Sequence, residues 1–235
     1  MIKVMTVFGT RPEAIKMAPL VKELKSRKEI ECIVCVTAQH RQMLDQVLEV
    51  FDIKPDYDLN IMQSGQTLSD ITSRALKGLE EVMNKEKPDI VLVHGDTTTT
   101  FAGALAAYYT QTDIGHVEAG LRTWNKYSPY PEEMNRQMVG VLADIHFAPT
   151  ENSKNSLLNE GKKKENIFVT GNTAIDALAT TVKKDYNNEI FDWLGNDKLI
   201  LLTAHRRENL GEPMRHMFKA IRRIVDEFDD VKVVY

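Results

Sequence analysis

The 235-residue sequence has few cysteines, no long apolar run and no excess of one charge. Two cysteines cannot build a disulfide framework. No segment approaches the ~18–20 apolar residues of a bilayer span, and Ile2–Phe8 lacks the core length and cleavage site of a signal peptide. The 30 basic and 34 acidic residues are dispersed, so no basic face for nucleic acid is indicated. We therefore expect a folded cytoplasmic protein with neither nucleic-acid nor membrane partners.

The two cysteines, Cys32 and Cys35, form a C-x-x-C motif that could indicate a redox pair or half of a zinc site. Their surroundings, Ile30–Val36, are β-branched and predict a strand. Side chains three positions apart on a strand point to opposite faces, so the two sulfurs should diverge. We expect two buried thiols, and no other group in the sequence has zinc-ligand spacing, so no metal is expected.

Short β-branched or apolar runs alternate with longer segments of helical period. The predicted strands are Lys3–Phe8, Ile30–Val36, Ile90–His94, Ile114–Val117, Ile145–Phe147, Ile167–Val169, Leu199–Leu202 and Val231–Tyr235. The predicted helices are Glu13–Ser26 (with a kink or delayed start at Pro19), Arg41–Phe51, Leu68–Asn84, Thr98–Tyr109, Glu132–Ala143, Ser153–Asn159, Ala174–Lys183 and Pro213–Phe228. This alternation predicts an α/β protein with a doubly wound parallel sheet.

A break at Phe191–Lys198, which contains Gly195 and Asn196, separates two α/β segments. We expect a Rossmann-like domain over residues 1–171, a connecting helix and linker over 172–197, and the start of a second Rossmann-like domain over 198–235. Two strands and one helix cannot bury the faces of a sheet. The second domain is therefore expected to be incomplete, and the chain to be a fragment of a two-domain protein.

Polar residues follow the first predicted strand, where ligands of open parallel sheets bind. Gly9 allows close backbone approach and Pro12 suits the first turn of a helix. Arg11 and Lys16 add positive charge beside that helix N-terminus, which favours an anionic group. The turn is neither G-x-G-x-x-G nor a Walker loop, so ordinary nicotinamide or ATP binding is disfavoured.

Acidic residues lie at the ends of later strands. Asp96 precedes four threonines, Glu118 follows the next strand, and Glu132 lies one helical turn from Arg136. Each carboxylate alone could be a helix cap or half of an ion pair. Together they can supply an acid and a base, because like-charge repulsion keeps one carboxyl protonated. His205 follows the first strand of the second domain, and two arginines come after it, so an anion-facing role is favoured over a core position.

With these residues in place, the sequence resembles the non-hydrolysing UDP-N-acetylglucosamine 2-epimerases over essentially its whole length. The segments that carry the resemblance are VFGTRPEAIKMAPL, VTAQHRQMLDQVL, DYDLNIM, VHGDTTTT, GHVEAGLRT, SPYPEEMNRQ, TGNTAIDAL and TAHRREN. The resemblance implies a GT-B arrangement of two Rossmann-like domains with the active site between them. It also implies interconversion of UDP-N-acetylglucosamine and UDP-N-acetylmannosamine without a cofactor.

The resemblance also implies roles for individual residues. Arg11, Lys16 and the catalytic His205 would hold or balance the diphosphate, and Arg136 would orient Glu132. The acid, base and cation-stabilising carboxylates would be Asp96, Glu118 and Glu132, with the acceptor of the C2 proton left open. A second UDP-N-acetylglucosamine acts as an activator in bacterial members, and the matching positions are Gln39, His40, Gln42, Gln66, Glu132 and Arg206. Gly65 replaces an arginine of some relatives. We expect a homodimer.

Three alternatives remain open from the sequence. A hydrolysing relative would release UDP and free N-acetylmannosamine, although the QHR and DLNIM segments favour the non-hydrolysing branch. The chain could also be an inactive sugar-nucleotide-binding module or half of a GT-B glycosyltransferase, for which no acceptor site is evident. Because a GT-B cleft needs both domains, residues 1–235 alone are expected to bind UDP weakly without epimerising the sugar.

Overall fold

The computed structural model describes residues 1–38, 41–183, 185–204 and 209–235. The chain forms two compact units, Met1–Thr181 and Val182–Tyr235, and each is described by itself. In the described part of the chain, no helix is long and apolar enough to cross a bilayer.

The first unit is built on a sheet of seven parallel strands. The strands are β1 Ile2–Phe8, β2 Ile30–Val36, β3 Tyr57–Asp58, β4 Ile90–His94, β5 Asp113–Val117, β6 Ile145–Ala148 and β7 Ile167–Val169. Their order across the sheet is β3-β2-β1-β4-β5-β6-β7, which is the doubly wound order with its reversal between β1 and β4. The parallel sheet expected from the alternation of elements is confirmed.

Helices connect these strands and cover the sheet. They are α1 Arg11–Ser26, α2 Arg41–Val50, α3 Leu68–Glu86, α4 Thr98–Tyr109, α5 Glu132–Leu142, α6 Glu151–Asn159 and α7 Ala174–Thr181, with a short 3₁₀ turn at Lys164–Asn166. Helix α1 begins at Arg11, two residues before the predicted start, and includes Pro19 within one continuous span. Helix α3 begins with reciprocal capping, in which the Asp70 amide donates to Thr67 Oγ1 (3.2 Å) and the Thr67 amide to Asp70 Oδ2 (2.9 Å).

The sheet has a hydrophobic core on each face, because successive side chains of a strand alternate between faces. Met5 and Val7 of β1 belong to one core with Cys35, whereas Val4 belongs to the other core, against which Cys32 packs. The two thiols therefore lie on opposite faces, as expected, and both are free. Cys35 is buried as expected, whereas Cys32 is only partly buried. Burial raises the pKa of Cys32 to about 11 and of Cys35 to about 12, which keeps both groups in the protonated thiol form at neutral pH.

The second unit contains a two-stranded parallel sheet. Its elements are α8 Glu189–Leu194, β8 Lys198–Leu201, α9 Glu212–Glu227 and β9 Val231–Val234. Lys232 pairs with Asp197 at 3.0 Å, and its ammonium also donates to the Leu194 carbonyl at 3.3 Å, so these contacts join β9 to the end of α8. Helix α8 lies within residues 172–197, for which the sequence predicts a connecting helix and a linker.

Candidate active site

The candidate site lies at the reversal of strand order between β1 and β4, where the flanking connections leave on opposite sides of the sheet. Strands β1, β4 and β5 are neighbours in the sheet and parallel, so their carboxyl ends meet at one edge. The loops that follow these strands carry most of the residues that the sequence singled out.

At the β1–α1 turn, the buried carboxylate of Glu13 accepts four hydrogen bonds. The amides of Gly9 and Thr10 donate to its Oε2 at 3.0 and 2.7 Å. The hydroxyls of Thr97 and Thr100 donate to its Oε1 at 2.7 and 3.2 Å. Burial raises the pKa of Glu13, and these hydrogen bonds oppose the rise. Glu13 thus ties the β1–α1 turn to the β4–α4 turn. Glu13 is not among the predicted site residues, although the T-x-x-E pattern at Thr10 is a capping signal.

Gly9 has no room for a side chain. A Cβ at this position would lie 2.0 Å from Thr37 Oγ1 and 2.6 Å from Thr99 Oγ1. These two hydroxyls are themselves hydrogen-bonded at 2.8 Å. The close backbone approach expected of Gly9 is therefore present, and it brings the β1–α1 turn against the ends of β2 and α4.

Four of the predicted site residues meet around one cavity of about 220 Å³. Lys16, Asp96, Glu118 and Glu132 all line it, together with Glu13, His94 and the backbone turns that follow β1 and β4. One ammonium and several carboxylates thus face the same small volume. This is the arrangement that strand-end placement predicted from the sequence.

Lys16 and Glu118 form an ion pair across this cavity. The Lys16 ammonium contacts Oε1 and Oε2 of Glu118 at 2.7 and 2.6 Å. Glu118 has a positive φ of 61°, a backbone conformation that side chains other than glycine rarely adopt. The buried His94 has its Nε2 3.9 Å from Glu118 Oε2. Burial, followed by the Lys16 charge, lowers the pKa of His94 to about 3, so its imidazole is neutral.

Asp96 lines the cavity beside Arg136, and its ionisation is shifted by its surroundings. Burial raises its pKa to about 6, Arg136 opposes the rise, and the neighbouring carboxylates add to it. Arg136 Nη2 lies 3.1 Å from Asp96 Oδ2. Both protonation states of Asp96 are therefore accessible near neutral pH, as general acid–base catalysis requires.

The contacts of Arg136 differ from the expectation that it orients Glu132. Its guanidinium pairs with Asp96 and lies 3.4 Å from Oε2 of Glu133, whereas the hydrogen bond to Glu132 uses the backbone carbonyl, also at 3.4 Å. Glu132 instead lines the cavity. The i,i+4 spacing of Glu132 and Arg136 made them neighbours along the helix, but Arg136 reaches across to the end of β4.

Hydrogen bonds with residues of β5 also fix the β4–α4 turn. His116 Nε2 lies 2.7 Å from the Gly95 carbonyl, to which it donates, and the Gly95 amide donates to the Val117 carbonyl at 2.8 Å. Burial lowers the pKa of His116 to about 3, so the ring is neutral and one nitrogen carries the proton of this bond. These contacts fix the backbone immediately before Asp96.

Other predicted residues lie away from this cavity or outside the described residues. Arg11 is exposed at the start of α1, and it is not among the residues that line the cavity. Of the predicted activator residues, Gln42 is exposed on α2, and Gln66 Oε1 accepts from the Gln63 amide at 3.1 Å and from Arg74 Nη2 at 2.7 Å. Four positions lie outside the described residues, namely Gln39, His40, His205 and Arg206.

The fold and the site define an α/β protein with a cavity lined by carboxylates and one lysine at the switch point of a doubly wound sheet. The model of the UDP-N-acetylglucosamine 2-epimerase family matches residues 22–235, and the chain belongs to that family. Its α/β class is confirmed, and its structural neighbours are GT-B-like epimerases.

Individual relatives match the whole chain closely. The UDP-N-acetylglucosamine 2-epimerase of Bacillus subtilis is 71% identical over 234 residues, which are 100% of this chain and 62% of the relative. The structure of S. aureus MnaA with UDP is 62% identical with a TM-score of 0.92, over 100% of this chain and 62% of that one. The Neisseria meningitidis enzyme, solved bound to UDP-GlcNAc, is 51% identical with a TM-score of 0.89, over 99% and 65%. The chain thus spans less than two thirds of the length of these relatives.

Proposed function

We propose that the protein to which this chain belongs interconverts UDP-N-acetylglucosamine and UDP-N-acetylmannosamine by eliminating UDP and adding it back. The observation that carries the proposal is the cavity in which Asp96, with a pKa of about 6, faces Glu118, Glu132 and Lys16. Family membership and the relative bound to UDP-GlcNAc support the choice of substrate. The proposed setting is the cytoplasm, with products that serve cell-surface polysaccharide synthesis.

The chemistry of the sugar explains why such a site is needed. The hydrogen on C2 has no adjacent carbonyl, so its direct removal as a proton is unfavourable. Breaking the bond from C1 to the diphosphate oxygen first sends that electron pair to UDP and leaves positive charge at C1. A base then takes the C2 proton, and the C–H electrons form the double bond of a glycal. Reversal on the other face adds a proton to C2 and returns the UDP oxygen to C1, so no redox step occurs.

We assign the residues to these steps as follows. Asp96, Glu118 and Glu132 are the acid, base and cation-stabilising carboxylates, and their order in the reaction is open. Lys16 stands next to the carboxylates and exchanges its contact with Glu118 for the departing diphosphate, where positive charge stabilises the leaving group. Arg11 and His205 would complete the diphosphate site, His205 from the second domain. The activator site of Gln39, His40, Gln42, Gln66 and Arg206, and a homodimer, belong to the same proposal.

A hydrolysing epimerase is the second candidate, because the same carboxylates could activate a water against C1. It differs in its products, which are UDP and free N-acetylmannosamine. An inactive sugar-nucleotide-binding protein would need none of the perturbed carboxyl groups, and the pKa of Asp96 argues against it.

Isotope exchange tests the proposal. The assay uses the completed protein, defined here as residues 1–235 joined to the part of the Bacillus subtilis relative that the match does not cover. In deuterated water, each epimerised sugar should carry one deuterium at C2, measured by mass spectrometry and NMR, with a reaction in ordinary water as control. Epimerised product without deuterium at C2 would contradict the elimination route. Free N-acetylmannosamine would identify the hydrolysing alternative.

A further inference from the structure

Glu133 is a fully buried carboxylate in the first turn of α5 that no step of the proposed reaction uses. Its Oε2 accepts from the Thr123 amide at 3.1 Å, and its Oε1 accepts from the Trp124 amide at 3.0 Å and from Gln137 Nε2 at 2.9 Å. The hydrogen bonds of Glu133 therefore link the loop that precedes α5 to the first turns of the helix. A buried carboxylate is costly unless donors surround it, and here three neutral donors do so.

The fourth contact of Glu133 is with Arg136, which in turn contacts Asp96 at the cavity. Arg136 Nε lies 3.4 Å from Glu133 Oε2, and Arg136 Nη2 lies 3.1 Å from Asp96 Oδ2. The guanidinium is thus held between two carboxylates, one structural and one at the cavity. The neighbouring Asn135 also reaches this strand end, since its Nδ2 donates to the Asp96 backbone carbonyl at 2.9 Å.

We propose that Glu133 is a positioning residue that fixes the guanidinium of Arg136 against Asp96 and thereby sets the ionisation of that carboxyl. This inference rests on the proposed function for its catalytic meaning, while the positioning itself is a property of the chain. Burial by itself raises the pKa of Glu133, but the hydrogen bonds from Gln137, Thr123 and Trp124 and the Arg136 charge together lower it. Glu133 is therefore an anion that can hold a cation in place.

The alternative is that Glu133 only stabilises the loop and that Arg136 would stay against Asp96 without it. The two cases predict opposite changes at Asp96. If Glu133→Gln releases the guanidinium, Asp96 loses its opposite charge and its pKa rises, by about one pH unit for a cation at this distance. If Arg136 stays in place, removing a nearby negative charge leaves the pKa of Asp96 unchanged or slightly lower.

The test is a pH titration of the Asp96 side-chain carboxyl by ¹³C NMR in the 235-residue chain. Asp96→Asn identifies the resonance. Charged groups from every neighbouring element act on this carboxyl, namely Arg136, Glu132, Glu118 and Glu13, with Lys16 and the neutral His94 lining the same cavity. For this reason the pKa of Asp96 is compared between proteins that differ by a single substitution. Loss of the fold would lower the pKa towards its ordinary value of 3.8, so unfolding cannot imitate the expected rise.

The chain offers a matched control and a double-variant cycle. Glu151 lies in the first turn of α6 and pairs with Lys154 at i+3 (3.3 Å), as Glu133 does with Arg136, but its side chain is exposed, so Glu151→Gln should leave Asp96 unchanged. Arg136→Gln should raise the pKa of Asp96, and Glu133→Gln should add nothing in that background. An unchanged or lowered pKa in Glu133→Gln, or an equal effect with and without Arg136, would overturn the proposal.

A kinetic arm separates this inference from the proposed function. In the completed protein, kcat is measured as a function of pH, and the part of this profile that follows the ionisation of Asp96 should move to higher pH in Glu133→Gln. The change in KM should be smaller than the change in kcat. A raised NMR pKa without epimerase activity in the unsubstituted protein would retain the positioning role and reject the proposed function. A shifted rate profile with an unchanged NMR titration would reject the positioning role alone.

Discussion

At the scale of single residues, two of the carboxylates that line the cavity, Asp96 and Glu118, have different surroundings. Asp96 faces a guanidinium, yet burial dominates and raises its pKa to about 6. Glu118 has both oxygens on the Lys16 ammonium and sits on a backbone of positive φ. Two carboxyl groups with different environments in one cavity can act as acid and as base in proton transfer. Strain at Glu118 is consistent with a position set by function, since such conformations cluster at active sites.

Amide substitution tests these roles one residue at a time. In the completed protein, Asp96→Asn, Glu118→Gln and Glu132→Gln each retain the size of the side chain and remove its ability to exchange a proton. We expect kcat to fall by roughly 10²–10⁴ for a proton-transfer residue, with a smaller change in KM. The exposed Glu151→Gln serves as control and should keep normal kcat. Near-normal kcat in all three amide variants would show that the cluster is structural.

The residues of this site differ in how far the sequence could reveal them. Lys16, Asp96, Glu118 and Glu132 were predictable because the ends of neighbouring parallel strands must meet at one edge of the sheet. Glu13 and Glu133 were not identified, because a carboxylate that is buried and one that is solvated look the same in a sequence. The T-x-x-E pattern could indicate only the local capping by Glu13. The bonds to Thr97 and, for Glu133, to Thr123 involve donors 84 and 10 positions away, which the folded structure brings near.

At the scale of elements, the turn after β1 and the turn after β4 behave as one assembly. Glu13 accepts hydrogen bonds from both turns, and Gly9 packs against the hydroxyls of Thr37 and Thr99. The position of Lys16 on α1 and of Asp96 after β4 thus depends on contacts between loops rather than on either helix alone.

Gly9→Ala tests this packing. The new Cβ would lie within 2.0 Å of Thr37 Oγ1, so the turn must shift, and we expect a loss of about 1–3 kcal/mol in the free energy of unfolding. Thr37→Ala removes that oxygen and should make Gly9→Ala less destabilising in the double variant. Urea unfolding of the four proteins measures both effects. Equal costs of Gly9→Ala in the two backgrounds would contradict the proposed contact.

The elements that the sequence missed are short. Strand β3 has two residues, Tyr57 and Asp58, at the edge of the sheet, and α8 has six residues with an Asn188 cap. Neither is long enough for a periodic pattern, and their pairing depends on the rest of the fold. The long helices and the buried strands were predictable to within a few residues because one face of each helix, or both faces of each strand, must be apolar.

At the scale of the whole molecule, three buried histidines lie on neighbouring strands of the first unit. His94, His116 and His146 belong to β4, β5 and β6, and the pairing register sets His116 beside His146. Burial lowers the pKa of His94 and His116 to about 3 and of His146 to about 4, from an ordinary value of 6.5. The sheet therefore holds these rings neutral at a pH where the unfolded chain would protonate them.

Whether acid lowers or raises the free energy of unfolding depends on which state, folded or unfolded, binds more protons. Between pH 6.5 and about 4 the unfolded state binds more protons at these histidines than the folded state, so acidification favours unfolding. Asp96 and Glu13 act in the opposite direction, because burial raises their pKa values and the folded state then binds their protons first. With three histidines involved, we expect the free energy of unfolding to fall as the pH drops from 6.5 towards 4.

His146→Gln isolates one share of this effect, since the amide is polar and of similar size but does not titrate. Near pH 5 the loss of unfolding free energy on acidification should be smaller than in the unsubstituted chain by roughly 1 kcal/mol per pH unit, the share of one histidine. Urea unfolding at pH 7, 6 and 5 measures this slope. His216→Gln, at an exposed position of α9, is the matched control for replacing a histidine that does not lie in the sheet. If His146→Gln gives the same slope as the unsubstituted chain, the buried imidazole of His146 does not resist protonation, and the acid sensitivity must come from other groups.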